Sequence, residues 1–156
     1  MSREKRSWPF TISLAASFGA FAWVGMALAA PDADPAEGVW LTAEGDAQVR
    51  IAPCADQADQ LCGTIVWLKD PLDERGQPVR DVHNPKPGLR SREILGLQLL
   101  HGLRRRGVGQ WTGGRVYNSD NGKSYRARIQ VSAQGALRIE GCLLLFCSGE
   151  TWKRVS

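Results

Sequence analysis

Two histidines, His83 and His101, are the only imidazoles in this chain. Any base that works near neutral pH by virtue of an imidazole must be one of them. Asp81 stands two residues before His83, and Ser91 lies in the same stretch. Those are the residue types of a nucleophilic triad, in which a carboxylate orients the imidazole that activates a serine. Ser91 has no G-x-S-x-G elbow or comparable setting. Asp81 and Asn84 bracket His83 just ahead of Pro85, where short polar side chains bond backbone amides in turns. Turn capping therefore outweighs the triad. His101 follows Leu100 at the end of an extended segment and reads as an exposed polar residue.

Other chemistry finds less support. A carboxylate pair for acid–base work would have to come from Asp70, Asp73, Glu74, Asp81 or Glu93, and spacing along a loop does not show whether any two of them meet. No pattern of histidines and carboxylates suits a metal. Trp111-Thr112-Gly113-Gly114 lacks the lysine and helix that follow a phosphate-cradling loop. The sequence asks for no cofactor and favours a binding protein over an enzyme, with a hydrolase built on His83 and Asp81 as the third reading.

The four cysteines are Cys54, Cys62, Cys142 and Cys147. They allow three pairings. The local pairs, Cys54 with Cys62 and Cys142 with Cys147, are favoured because each closes a small loop where the chain must turn back. A four-thiolate zinc site is disfavoured by the C-x7-C and C-x4-C gaps, which are wider than the usual C-x2-C. A catalytic redox pair lacks its C-x-x-C.

Oxidised cysteines agree with the start of the chain. Arg3, Lys5 and Arg6 precede an uncharged stretch from Ser7 to Ala30 that is apolar from Phe10 onward. Ala27-Leu28-Ala29 supplies the small residues of a cleavage site, so residues 1–29 read as an export signal. A retained anchor is the alternative, since about 20 apolar residues span a bilayer. Ser13, Ser17, Gly19 and Gly25 dilute that run. A periplasmic or secreted protein follows, with no transmembrane segment once the leader is removed. Without Arg3, Glu4, Lys5 and Arg6 the net charge falls from +4 to +2. That balance argues against a nucleic-acid partner, which calls for a clustered basic face. Arg104-Arg105-Arg106, between Gly102 and Gly107, reads as a solvated turn. Residues 30–36 are acidic and proline-broken, a short flexible tether. Residues 37–156 remain as one domain.

The elements of that domain are short strands parted by turn residues. Val49 and Ile51 share one face, and Gly63-Thr64-Ile65-Val66-Trp67-Leu68 has strand composition. Leu95, Leu97 and Leu99 share one face of a further segment. Asn121-Gly122 is a hairpin turn. After it Tyr125, Ala127, Ile129 and Val131 lie on one face, with Arg126, Arg128 and Gln130 on the other. The count comes to about eight strands and no helix, an all-β antiparallel barrel or sandwich. Residues 69–93 interrupt this pattern with four prolines and two glycines. Structureless loops of that length are usually functional or disordered, and Asp81, Asn84, Arg90 and Arg92 suggest that this one is pinned by its own polar contacts.

These segments resemble the bacterial exported proteins known as domain of unknown function 2147 (DUF2147). The likeness rests on Gly38-Val39-Trp40, Ile51-Ala52-Pro53-Cys54, Leu61 to Leu68, Asp81-Val82-His83-Asn84-Pro85, Leu89-Arg90-Ser91-Arg92, Leu95-Gly96-Leu97, Trp111 to Tyr117, Gly122-Lys123-Ser124-Tyr125 and Thr151 to Val155. It spans about residues 37–156 and implies a lipocalin-like barrel. In that architecture a Gly-x-Trp closes one end and an arginine of the last strand covers the tryptophan. Gly38, Trp40 and Arg154 fit those structural positions, and a guanidinium over an indole gains about 0.5–2 kcal/mol.

An eight-stranded barrel is just wide enough to be packed solid or to hold one small molecule. The first functional reading is a barrel that binds a small apolar or amphipathic ligand, with loop 69–93 over its mouth. Its candidate ligand residues are Trp67, Trp111, Tyr117, Tyr125, Arg126, Arg128, Asp81, Asn84 and Arg90. Arg126 and Arg128 would meet an anionic head group if their face turns inward. The second reading is a solid barrel that binds an envelope component through loop 69–93, with Arg90 and Arg92, and the 104–106 arginines.

Overall fold

The computed structural model describes residues 33–156. The expected leader, 1–29, and the first half of the expected tether lie outside the described residues. Eight strands run in order: β1 Gly38–Leu41, β2 Ala47–Pro53, β3 Gln60–Leu68, β4 Gln98–Gly107, β5 Gln110–Asn118, β6 Lys123–Val131, β7 Leu137–Leu143 and β8 Phe146–Arg154. Each pairs antiparallel with the next, and β1 closes on β8 through Trp40 opposite Arg154 and Leu41 opposite Lys153. Closure gives every strand two neighbours, though β8 meets β1 only at its last two residues, and the rest of its length is paired on the β7 side alone.

Alternation builds the core. Val49 and Ile51 of β2, Leu61 and Ile65 of β3, Ala127 and Ile129 of β6, and Leu137 and Ile139 of β7 all point inward and are buried. The β4 segment departs from the expected strand. It begins at Gln98, not at Leu95, which is exposed, and its buried leucines are Leu100 and Leu103. Their three-residue spacing comes from a bulge at Gly102 against β3, where the backbone adopts φ +64°. Arg104-Arg105-Arg106 therefore lies on β4 rather than in a turn.

One end of the barrel is sealed. Trp40 is fully buried, its indole N–H donating to the Ala36 carbonyl at 2.9 Å. The Arg154 guanidinium covers the ring at 4.2 Å and donates to the carbonyls of Glu37 and Pro35. Gly38 makes this closure possible: its φ is +138°, and a Cβ there would stand 2.5 Å from Arg154 Nη1 and from the Ser156 oxygen.

The described part of the expected tether also belongs to this end. Asp34 and Ala36 are buried. The Asp34 carboxylate accepts the Ala36 amide (2.9 Å), the Gly109 amide (3.3 Å) and the Trp111 indole N–H (3.0 Å), and pairs with Arg105 at 3.4 Å. Asp34 thus belongs to the fold, because a buried carboxylate with four donors holds its segment down. Burial alone would raise the Asp34 pKa. The hydrogen bonds of Trp111, Ala36 and Gly109 and the charge of Arg105 outweigh it and hold the carboxyl below its ordinary value.

Both local disulfides are present. Cys54–Cys62 clamps the β2–β3 turn, and Cys142–Cys147 joins directly opposed residues of β7 and β8.

Candidate ligand-binding site

The end away from Trp40 is not sealed. Ala47, Val49, Ile65, Leu68, Val116 and Trp152 wall a cup of about 590 Å³ open at the barrel mouth. A recess of about 400 Å³ adjoins it between β5 and β8, sharing Val116, Asn118, Glu150 and Trp152 and adding Tyr125, Gly141 and Ser148. Gly141 keeps this space open: a Cβ there would already touch the Tyr125 and Val116 side chains at 3.2–3.3 Å. Glu150 points into the wall and accepts the Trp152 indole N–H. The sequence does not mark it, because the strand signal around it is weak; only the inward phase set by Trp152 places it.

The connection between β3 and β4 forms one side of this mouth, and it is not structureless. Bridges join Leu72 to Pro78 and Arg80 to Glu93, and a short 3-10 turn spans Pro87–Leu89. Val79 and Ile94 line the cup from this loop, with Arg80 and His83 on its polar side. Ile94 is buried, as is Leu97 where the chain rejoins β3 through the Ile65 amide and Leu97 carbonyl.

One buried carboxylate locks the loop to the barrel. Tyr117 of β5 donates its hydroxyl to Asp81 Oδ1 at 2.6 Å. Asn84 Nδ2 donates to Asp81 Oδ2 at 2.7 Å and to the Tyr117 oxygen at 3.2 Å. Arg92 reaches the same Oδ2 through Nε at 2.8 Å and Nη2 at 2.7 Å, its guanidinium 5.4 Å from the Tyr117 ring centre. Arg90 Nε donates to the Asn84 carbonyl at 2.8 Å. Burial would raise the Asp81 pKa, but the donors Tyr117, Asn84 and Arg92 prevail and hold it below its ordinary value. Burial and the neighbouring Asp81 charge push the Tyr117 phenol up.

This arrangement redistributes the candidate residues. Tyr117 and Tyr125 line the cavities. Asp81, Asn84 and Arg90 are brought together, but their polar atoms serve the loop lock. The Asp81 oxygens are taken by Tyr117, Asn84 and Arg92, so Asp81 does not orient His83 toward Ser91. Arg126 and Arg128 face outward, since Ala127 and Ile129 take the inward phase of β6; no ligand inside the barrel reaches them. Trp67 is 40 % exposed on the outer face of β3, opposite Gln48, where a bulge shifts the register. Trp111 is buried at the sealed end against Asp34 rather than at the mouth. Among the described residues, no group of three histidine, cysteine or carboxylate side chains could hold a metal.

Comparisons with known proteins agree with this architecture. A family model described as "Uncharacterized protein conserved in bacteria (DUF2147)" matches residues 38–154. No curated protein sequence matches the chain. Among solved structures, the Helicobacter pylori protein HP1028, described as belonging to the lipocalin family, superposes with a TM-score of 0.65 at 23% sequence identity. The match covers 78% of this chain and 83% of that one. At that identity the likeness speaks for the fold.

Proposed function

This chain belongs to the DUF2147 family of proteins conserved in bacteria, and on that premise we propose that it is an exported barrel holding a small apolar or amphipathic molecule in its open cup. The carrying observation is the cup itself: aliphatic walls from Val49, Ile65, Leu68 and Val116, an indole from Trp152, and a mouth left open beside a pinned loop. The cup's floor is concave and apolar, as in small-molecule binding sites generally, while its rim is polar and charged.

The polar groups at the mouth narrow the ligand. Glu44, Asp46, Asp70, Asp120 and Glu150 face Arg80 and His83 around it. Acids outnumber bases, so a neutral or cationic polar end suits the mouth better than a carboxylate. Titrating tryptophan fluorescence with a long-chain alcohol, a long-chain amine and a fatty acid tests this. Saturable responses to the first two, weaker for the acid, are expected. Silence toward all three would remove the reading.

Export draws support from the two disulfides, which persist in oxidising compartments. The mass of protein recovered outside the cytoplasm reads the leader directly: loss of residues 1–29 and of four thiol hydrogens is the expected result.

A further inference from the structure

We infer that the β7–β8 hairpin tip is a membrane-contact finger: Leu143 to Phe146 enter the interface of an anionic phospholipid bilayer while Arg115 and Arg126 beside its base meet lipid phosphates. The inference stands whether or not the cup holds a ligand.

The tip reads Cys142-Leu-Leu-Leu-Phe-Cys147. Leu143, Leu144, Leu145 and Phe146 are 61, 91, 94 and 84% exposed. Monomeric proteins seldom leave so many adjacent large apolar side chains in water unless the patch meets a partner or a membrane. Turn chemistry does not explain them. Leu144 sits at φ +55°, where a branched side chain is strained. The neighbouring hairpin turns with Asn121-Gly122, the residues suited to that backbone. The disulfide closes the base of the tip between directly opposed residues, so the four side chains stay displayed rather than folding back.

Charge selects a bilayer as the occupant. Across the outer face Arg115 pairs with Arg126, and Arg126 pairs with Cys142. This rank of arginines therefore leads straight to the finger, and a groove lined by both arginines and Leu143 to Leu145 joins the two. Among the described residues neither arginine makes an ion pair, while Arg104 and Arg106 lie further along β4 toward the sealed end. Glu140 is already paired with Arg128 and Arg138. The acids Glu44, Asp46 and Asp70 belong to the β1–β3 half of the barrel, whereas Asp120 in the β5–β6 turn and Glu150 on β8, which accepts the Trp152 indole N–H, lie on the finger's side. A tip two or three residues beyond its disulfide extends about 7–10 Å. That matches the roughly 5–10 Å to which interfacial segments sink, leaving basic side chains at headgroup depth.

The test is vesicle flotation of protein recovered from outside the cytoplasm, on phosphatidylcholine vesicles with and without phosphatidylglycerol. Wild type is expected to float with the anionic vesicles. Leu144→Glu with Leu145→Glu should lower partitioning by at least about tenfold. Arg115→Ala and Arg126→Ala should each lower it about fivefold on anionic vesicles and leave the neutral ones unchanged. Phe146→Trp gives a readout confined to the tip, and brominated lipids should quench it. Circular dichroism and an unchanged thermal melt would show that the variants fold. Equal flotation of wild type and tip variant, or an unquenched Phe146→Trp, overturns the inference. So does a wild-type dimer that the tip variant makes monomeric without any vesicle binding, since a second copy would then cover the finger.

Discussion

Tyr117 and Asp81 meet across 2.6 Å although 36 residues separate them in the chain. This bond ties the loop beside the mouth to the wall of the barrel. Tyr117→Phe removes the donor and leaves a buried oxygen short of a partner, at a cost of about 1–3 kcal/mol. The expected signature is a lower midpoint in urea and faster proteolysis within residues 69–93. An unchanged cleavage rate would show that the loop is held by its apolar residues instead.

The same carboxylate predicts a pH response. The folded Asp81 and Asp34 pKa values lie below the ordinary 3.8. Their contribution to stability is thus complete above about pH 3.8 and declines as pH falls through the lower folded values. Tyr117 shifts the other way, above 10.0. Its contribution is complete below about pH 10 and fades as pH rises through the folded value. The hydrogen-exchange protection factors of the Asp81, Asn84 and Arg92 amides should fall toward both extremes; a flat protection profile across them contradicts the lock.

At the sealed end, Gly38→Ala should destabilise by about 2 kcal/mol or more. It forces a left-handed backbone on alanine and drives a methyl group into Arg154 and Ser156. Arg154→Ala should cost about 0.5–2 kcal/mol from the lost stacking on Trp40. Thermal melts order the two, and a Gly38→Ala protein as stable as wild type would mean that the terminus relaxes freely.

Within the cup, Val116→Trp adds bulk to the wall shared by both cavities. It should weaken any ligand by about tenfold or more while the barrel stays folded. Calorimetry against the long-chain alcohol reads this, and unaltered affinity would move the site elsewhere.

Much of the barrel is legible in the sequence because strand alternation has a period of two, and a one-residue slip would bury Arg126 and Arg128. The hairpin at Asn121-Gly122 and both local disulfides follow from short-range constraints of the same kind. Spacing cannot show which residues a bulge rephases. Gly102 moves the inward leucines of β4 to Leu100 and Leu103, and the bulge in the β2–β3 pairing goes with Trp67 on the outer surface.

By itself, then, the sequence determined an all-β chain with most of its turns and inward faces and favoured its local cysteine pairs, since each depends on neighbours a few residues apart. Only the tertiary structure decided what lies around the cavity and on the outer wall. Asp34 reaches Trp111 over 77 residues and Asp81 reaches Tyr117 over 36. Glu150 turns into the mouth, and ladder register sets Arg115 and Arg126 beside an exposed leucine tip. Those juxtapositions arise from barrel closure, which brings distant positions together at separations that no local pattern encodes.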